Sequence, residues 1–160
     1  MCLDERQRDL VHAFREQVER LLTDEPGFGP VSRHDIPDRP RLITRWLADK
    51  RVWYELAVRP TLPQVRVGML TDDRWRSQDF ERMVADSGDT LRELIEAAFA
   101  AAGIMWHEPP VEHYREHERL FYFATPVDLE SLDDLAAEAL PERICRMLKG
   151  YHLAFTGRVP

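Results

Sequence analysis

The chain has 160 residues, of which 44% are hydrophobic and 32% are charged, and its formal net charge at pH 7 is −7. This composition is typical of one globular domain spanning residues 1–160 and excludes fibrous and disordered classes. The acidic balance, without a cluster of Lys and Arg, argues against nucleic acid as a ligand, and no apolar run is long enough for a membrane span.

The N-terminal region predicts an amphipathic helix over residues 4–23, since its apolar residues recur at helical spacing. Before it, the charged N-terminus shows no apolar core of a secretory signal. The two cysteines, Cys2 and Cys145, make no disulfide framework. We therefore expect a cytoplasmic protein.

A proline-rich segment follows, from Thr23 to Pro40, with the sequence DEPGFGPVSRHDIPDRP over residues 24–40. This stretch contains four prolines and two glycines. Because proline cannot donate a backbone hydrogen bond, the pattern predicts a long loop rather than a strand of a β ladder. Loops of this length in compact domains often serve function, and we expect this one to close over a ligand.

Three strands are predicted next, at Leu42–Leu47, Val52–Arg59 and Gln64–Thr71. They are joined by short polar turns, which favour antiparallel hairpins. Residues 77–102 then return to a helical period, which predicts one long helix with a weak point at Gly88. Two helices are the alternative, because Thr90 and Glu93 have the spacing of a capping box.

Two further strands are predicted, Ile104–Glu108 and Arg119–Thr125, and a final helix begins near Pro141. The connections between consecutive strands are too short for parallel crossovers. The predicted fold is therefore α+β, a five-stranded antiparallel sheet with three main helices in the order α-βββ-α-ββ-α.

The connection between the last two strands contains HYREH, residues 113–117, which has the H-x-x-E-H spacing of one class of zinc peptidase. In a helix this spacing places both histidines on one face, where they bind zinc beside the glutamate. His107, His113, Glu116 and His117 are therefore the candidate metal ligands. Because Pro109 and Pro110 lie just upstream and a strand follows, the segment is interpreted first as a polar turn.

Several predicted strands are apolar on both faces, whereas a sheet with one wet face would alternate. Trp53 lies opposite the run of Val52, Tyr54 and Leu56, and Phe121 and Phe123 alternate with Leu120 and Tyr122. Large apolar patches on globular proteins mark contact surfaces. Trp53, Phe121 and Phe123 are the predicted partner-binding residues.

The order of elements resembles the type III secretion chaperone-like fold, which implies a dimer that binds unfolded or partly folded protein segments. A second resemblance rests on VRVGML at 65–70, LIEAAFAAAGIMW at 94–106, RLFYFA at 119–124 and LKGYHLAFTGRVP at 148–160. These stretches are similar to an uncharacterised bacterial domain found C-terminal to nuclease-like proteins. That resemblance implies core or capping roles for Ile95, Gly103, Trp106 and Phe155, and no catalytic residue.

The sequence thus predicts a non-enzymatic protein-binding or adaptor module, chaperone-like and homodimeric, that needs no cofactor. The first alternative is a metal-dependent hydrolase that uses the His107, His113 and His117 region. The second is an accessory subunit of a nuclease-type defence system.

Overall fold

The computed structural model describes residues 3–36 and 40–160. Within these residues the chain forms α helices and β strands in the following order: α1 Glu5–Leu21, β1 Val31–Arg33, β2 Leu42–Asp49, β3 Val52–Arg59, β4 Gln64–Thr71, α2 Arg74–Ser87, α3 Leu91–Ala101, β5 Glu112–Glu116, β6 Leu120–Asp128 and α4 Leu140–Phe155. A short 3-10 helix, Leu132–Ala136, precedes α4.

The strands form one six-stranded antiparallel sheet in the order β1-β2-β3-β4-β6-β5. Short turns join β2 to β3 and β5 to β6, with Arg51, His117 and Glu118 in the left-handed region that such turns require. Strand β6 pairs with β4 and places β5 at one edge of the sheet, while β1 lies at the other.

The fold is α+β as expected, but the predicted five strands and three main helices are wrong in number. The described residues form six strands and four α helices. The additional strand β1 lies inside the proline-rich segment, where it pairs with β2 at the sheet edge. An edge strand needs hydrogen bonds on one side only, so it tolerates nearby prolines.

The HYREH segment accounts for a second difference. Its residues 113–116 lie in the edge strand β5 and His117 lies in the turn that follows, whereas the predicted strand Ile104–Glu108 lies outside the strands of the sheet. Strand β6 also continues through Pro126, where a strand end was expected. Pro126 pairs with Arg66 of β4 but lies beyond the last pair of β5 with β6, so its missing N–H leaves no ladder bond broken on that side.

The long helix predicted over residues 77–102 is wrong, and the alternative of two helices is confirmed. Gly88 ends α2 with a φ of 81°, a left-handed conformation that glycine adopts without a steric penalty. Thr90 then caps α3, since its side chain accepts from the Glu93 N–H while the Glu93 carboxylate accepts from the Thr90 N–H. Local capping therefore outweighs the continuous apolar period.

The helices pack on one face of the sheet, which we call the helical face. Its central strand residues are Trp46, Tyr54, Leu56, Val67 and Phe123, and they share one hydrophobic cluster with Phe14 of α1, Phe80 of α2, Phe99 of α3 and Leu148 of α4. Tyr151 on α4 is fully buried, and its hydroxyl lies 2.7 Å from the hydroxyl of Thr125 on β6. No helix among the described residues is long and apolar enough to cross a membrane.

We predict that Phe123→Ala lowers the free energy of unfolding by about 3–5 kcal/mol, because it removes a buried ring and leaves a cavity. Phe123 is 1% exposed, and its ring lies 4.7 Å from that of Phe80. Urea denaturation of the variant and wild type measures the change. Trp75→Ala is the control, since Trp75 is 72% exposed. Equal, small effects of both substitutions would contradict the assignment of Phe123 to the core.

Candidate functional site

The opposite side of the sheet, which we call the open face, is formed by the alternate residues of the same strands. On β3 these are Trp53, Glu55, Ala57 and Arg59. Ile43, Ala57, Leu70, Tyr122 and Ala124 are all buried on this face, yet they lie outside the cluster that the helices form. Something other than the helices therefore shields them from water.

The shielding comes from strong curvature of the sheet. Arg41, just before β2, makes a 2.7 Å ion pair with Glu116 at the end of β5. In a flat sheet these residues would be four strands apart, about 19 Å, and about eight residues apart along the strands, about 26 Å. Their contact shows that the twisted sheet brings two diagonal corners together over the open face, which is therefore concave.

A buried polar group lies at the centre of this concave surface. Arg45 Nε donates to Glu55 Oε2 at 2.9 Å, and the Tyr122 hydroxyl donates to the same oxygen at 3.3 Å. The Arg45 guanidinium also donates to the Tyr122 hydroxyl at 3.2 Å. Glu55 is 6% exposed, and its burial raises the pKa of its carboxyl above the usual range despite the adjacent Arg45.

A second group joins β4, β6 and β5. Arg66 pairs with Glu112 and donates to the Tyr114 hydroxyl at 2.7 Å, and its guanidinium lies 5.0 Å from the centre of the Tyr114 ring. The ring of Tyr114 stacks on that of Tyr122 with 4.9 Å between centroids. These contacts hold long polar side chains flat over the sheet, where they cover the small apolar residues beneath.

An apolar row crosses the end of the open face near the turn between β2 and β3. Its members are register partners on neighbouring strands. We define the apolar row as Leu47, Trp53, Leu70 and Tyr122. Leu70 and Tyr122 are buried, Trp53 is half-buried and Leu47 is 36% exposed. The row therefore offers apolar surface to solvent at Trp53 and Leu47, beside an ordered polar surface.

The three predicted partner-binding residues do not share one surface. Trp53 lies on the open face, whereas Phe121 and Phe123 lie on the helical face. Phe123 is enclosed by the core, and Phe121 is half-buried with the Arg115 guanidinium 5.8 Å from its ring centre. Of the three, Trp53 alone lies on the face that the helices leave uncovered.

The candidate metal ligands are spread over strand β5 and the segments on either side of it. His113 lies on strand β5 and His117 lies in the turn after it, with a left-handed φ of 52°, so the two are not adjacent on one helical face. His107 is 87% exposed beside Glu96, and Glu116 is held by Arg41. Among residues 3–36 and 40–160, no group of three His, Cys, Asp or Glu side chains is arranged to hold a metal ion.

His113 has a structural position instead. Its ring nitrogens lie 2.9 Å from the backbone carbonyl oxygen of Tyr122 and 2.6 Å from Glu81 Oε1 on α2. The ring also stacks on Phe123 with 4.0 Å between centroids. His113 thereby ties the edge strand β5 to both β6 and helix α2.

The segment Thr23–Pro40 is anchored at Phe28 and at Asp35. Phe28 is buried, with its ring 4.9 Å from that of Tyr54, and Asp35 pairs with the buried Arg15 at 2.9 Å. The remaining stretch, residues 37–39, lies outside the described residues, as does Cys2. A lid that closes over a ligand therefore stays a prediction for this segment.

Sequence reasoning missed most of the polar residues of the open face. Glu55, Arg59 and Arg66 occupy alternate positions in strands that were correctly predicted, so their shared face could have been read from the pattern of β3 and β4. The pairing of Arg41 with Glu116 could not have been predicted from that pattern, because it depends on the curvature of the whole sheet.

Comparison of the chain with protein-family models, with curated proteins and with solved structures found no match.

We predict that Arg41→Met raises the pKa of Glu116 toward the ordinary value of about 4.3. In the folded protein, the hydrogen bond from Arg41 holds this pKa below its usual range. The ion pair thus stabilises the folded state above the ordinary pKa, and this contribution is lost as the pH falls through the lowered folded value. The stability difference between wild type and Arg41→Met should shrink below about pH 4.

Carbon-detected NMR titration of the Glu116 carboxyl measures the first effect, and urea denaturation at several pH values measures the second. Arg146→Met is the matched control, because Arg146 also pairs with a glutamate at 2.7 Å but lies on helix α4. An unchanged Glu116 titration in Arg41→Met would contradict closure of the sheet by this ion pair.

We predict that His113→Ala lowers the free energy of unfolding by about 1–3 kcal/mol, since it removes two hydrogen bonds and an aromatic stack. His117→Ala should change it by less than about 0.5 kcal/mol, because its side chain is 76% exposed. Thermal and urea denaturation provide the comparison, with and without a zinc chelator. Similar losses for both variants, together with chelator-dependent unfolding, would instead indicate a metal site.

Proposed function

We propose that this chain is a non-enzymatic binding module that holds a segment of another protein on its open face. The observation that carries the proposal is the apolar row, where Trp53 and Leu47 present apolar surface on a concave sheet that no described helix covers. Aromatic side chains set in such surfaces are common energetic centres of protein interfaces.

The polar part of the open face supports binding because its side chains are already fixed. Arg45, Glu55 and Tyr122 hold one another, and Arg66 is held by Glu112 and Tyr114. A partner that meets ordered side chains loses less conformational entropy at the interface than one that must order them. The open face thus combines an apolar anchor with a rigid polar surround.

The described residues give less support to the alternative of a metal-dependent hydrolase, since its proposed ligands are distributed along a strand and a turn. Cys145 also lacks the features of a nucleophile, because burial raises the pKa of its thiol to about 12. A binding role requires neither a metal nor an activated nucleophile.

The proposal includes a cytoplasmic location and chaperone-like binding of extended segments. Cys145 is a buried free thiol, which suits a reducing compartment. Extended segments suit the open face because a concave sheet can follow a chain over several residues. A homodimer is also part of the proposal.

We expect selection of peptides from a random displayed library to yield ligands whose affinity depends on Trp53. Trp53→Ala should weaken the affinity of the selected peptides at least about tenfold, since truncating a buried interface aromatic commonly removes about 2 kcal/mol of binding free energy. Trp75→Ala is the matched control, because Trp75 is an exposed tryptophan on helix α2.

Isothermal titration with the selected peptides measures these affinities, and light scattering of both variants measures the oligomeric state. Ligands that bind Trp53→Ala as tightly as wild type, or that depend on Trp75 instead, would contradict binding at the open face. A monomeric wild-type protein at high concentration would contradict the homodimer alone.

A further inference from the structure

Three arginines meet at the end of the open face opposite the apolar row. Arg59 of β3 is the register partner of Gln64 on β4, and Arg66 follows two residues later on the same face. On the other side of β3, Leu42 pairs with Val58, which places Arg41 beside Arg59. We call Arg41, Arg59 and Arg66 the basic corner. A cluster of this kind is notable in a chain whose net charge is −7.

The charges of the basic corner are incompletely balanced. Arg41 is paired with Glu116 and Arg66 with Glu112, but no carboxylate of the described residues lies within ion-pair distance of Arg59. The three arginines and the two paired glutamates leave one positive charge, and the exposed Asp128 beside them accepts instead from Gln64 Nε2 at 2.9 Å. Burial together with repulsion from Arg66 and Arg41 lowers the pKa of Arg59, although Tyr114 and Glu112 act in the opposite direction.

Hydrogen bonding at the corner is incomplete as well. The buried atoms Arg59 Nε, Arg66 Nε and Gln64 Oε1 have no hydrogen-bond partner among the described residues. Arg66 is 8% exposed, so this is a polar group almost wholly removed from bulk water. Buried polar atoms in folded proteins are nearly always paired, and their clustering on adjacent residues indicates a place where a further group completes the network.

We propose that the basic corner binds a carboxylate of the partner segment, supplied by an Asp or Glu side chain. The surplus of one positive charge matches a monoanion better than a dianionic phosphate, and guanidinium groups suit the planar carboxylate. This inference rests on the proposed function, in which the same segment places an apolar residue at Trp53.

The geometry also sets the spacing between the two contact residues of the partner segment. Arg59 and Trp53 are six residues apart on β3, a distance of about 20 Å along the strand. An extended segment that reaches both therefore needs its acidic and its apolar contact residues about six positions apart. The partner sequence that fits the open face is thus an extended stretch with one apolar anchor and one acidic residue at about that separation.

The direct test follows the Arg59 and Arg66 Nε–H signals by NMR while a single-carboxylate probe, N-acetylglutamic acid α-amide, is added at constant ionic strength. We expect saturable shifts of both signals in the wild type. Arg59→Gln should weaken the response of Arg66 at least about tenfold, because it removes a charge-assisted hydrogen-bond donor. Arg82→Gln is the control, since Arg82 is a 71% exposed arginine on helix α2.

Inorganic phosphate is the second probe. Tighter binding of phosphate than of the carboxylate would overturn the proposal in favour of a phosphate site. Shifts that do not saturate, or that persist in Arg59→Gln, would show general charge screening and would also overturn it. Arg59→Lys retains the charge without the fork and should recover part of the affinity, which separates loss of binding from loss of folding.

The peptide selection distinguishes this inference from the proposed function. Peptides that depend on both Trp53 and Arg59 and carry an acidic residue about six positions from an apolar one support both. Peptides that depend on Trp53 but bind Arg59→Gln equally well would overturn the carboxylate site and leave the binding function intact. A wild-type dimer that Arg59→Gln dissociates would identify a second copy as the occupant and overturn a distinct acidic partner.

Discussion

The rest of the structure depends on the strong coiling of the six-stranded sheet. The contact between Arg41 and Glu116 is the direct evidence for this coiling. Strand twist accumulates across a sheet, and with six strands it brings diagonal corners toward each other. The helices fill the convex side with one hydrophobic cluster. The other side becomes concave, so Ala57, Leu70 and Ala124 are buried there without a second layer of helices.

Concavity explains why charged residues occupy the middle of a sheet. Burying an ion pair such as Arg45 with Glu55 contributes little net stability, because desolvation offsets the attraction between the charges. Such a pair does fix side-chain positions when its remaining hydrogen bonds are satisfied, as Tyr122 does here. The open face therefore has a defined shape, which suits recognition more than stabilisation. The pair at its centre is satisfied, whereas Arg59 at its corner is not, and this contrast is the basis for proposing a ligand there.

Local sequence signals were sufficient where one short-range interaction dominates. The amphipathic period predicts α1, and alternation with polar turns predicts β2, β3 and β4 close to their observed bounds. The capping box at Thr90 also predicts the start of α3, although the continuous apolar period favoured one helix. The prolines around β1 and before β5 hid two edge strands, because edge pairing depends on a neighbouring strand that the local sequence does not specify.

The same distinction applies to the candidate site. Apolar residues on both faces of the strands predicted a contact surface, and Trp53 does lie on the uncovered side. Phe123 belongs to the core because α2 and α4 cover its face, which alternation alone does not reveal. The HYREH spacing forms a metal site only in a helix, whereas residues 113–116 pair with β6 as a strand.

The most direct test of the coiled sheet is a distance measurement between its diagonal corners. A nitroxide attached at His117→Cys, in a Cys2→Ser background, lies next to Glu116 in an exposed turn. We predict strong paramagnetic broadening of the Arg41 amide signal, comparable with that of residues in β5. An Arg41 signal that stays as sharp as in the unlabelled protein, as expected for corners more than about 30 Å apart in a flat sheet, would contradict the concave open face and every inference drawn from it.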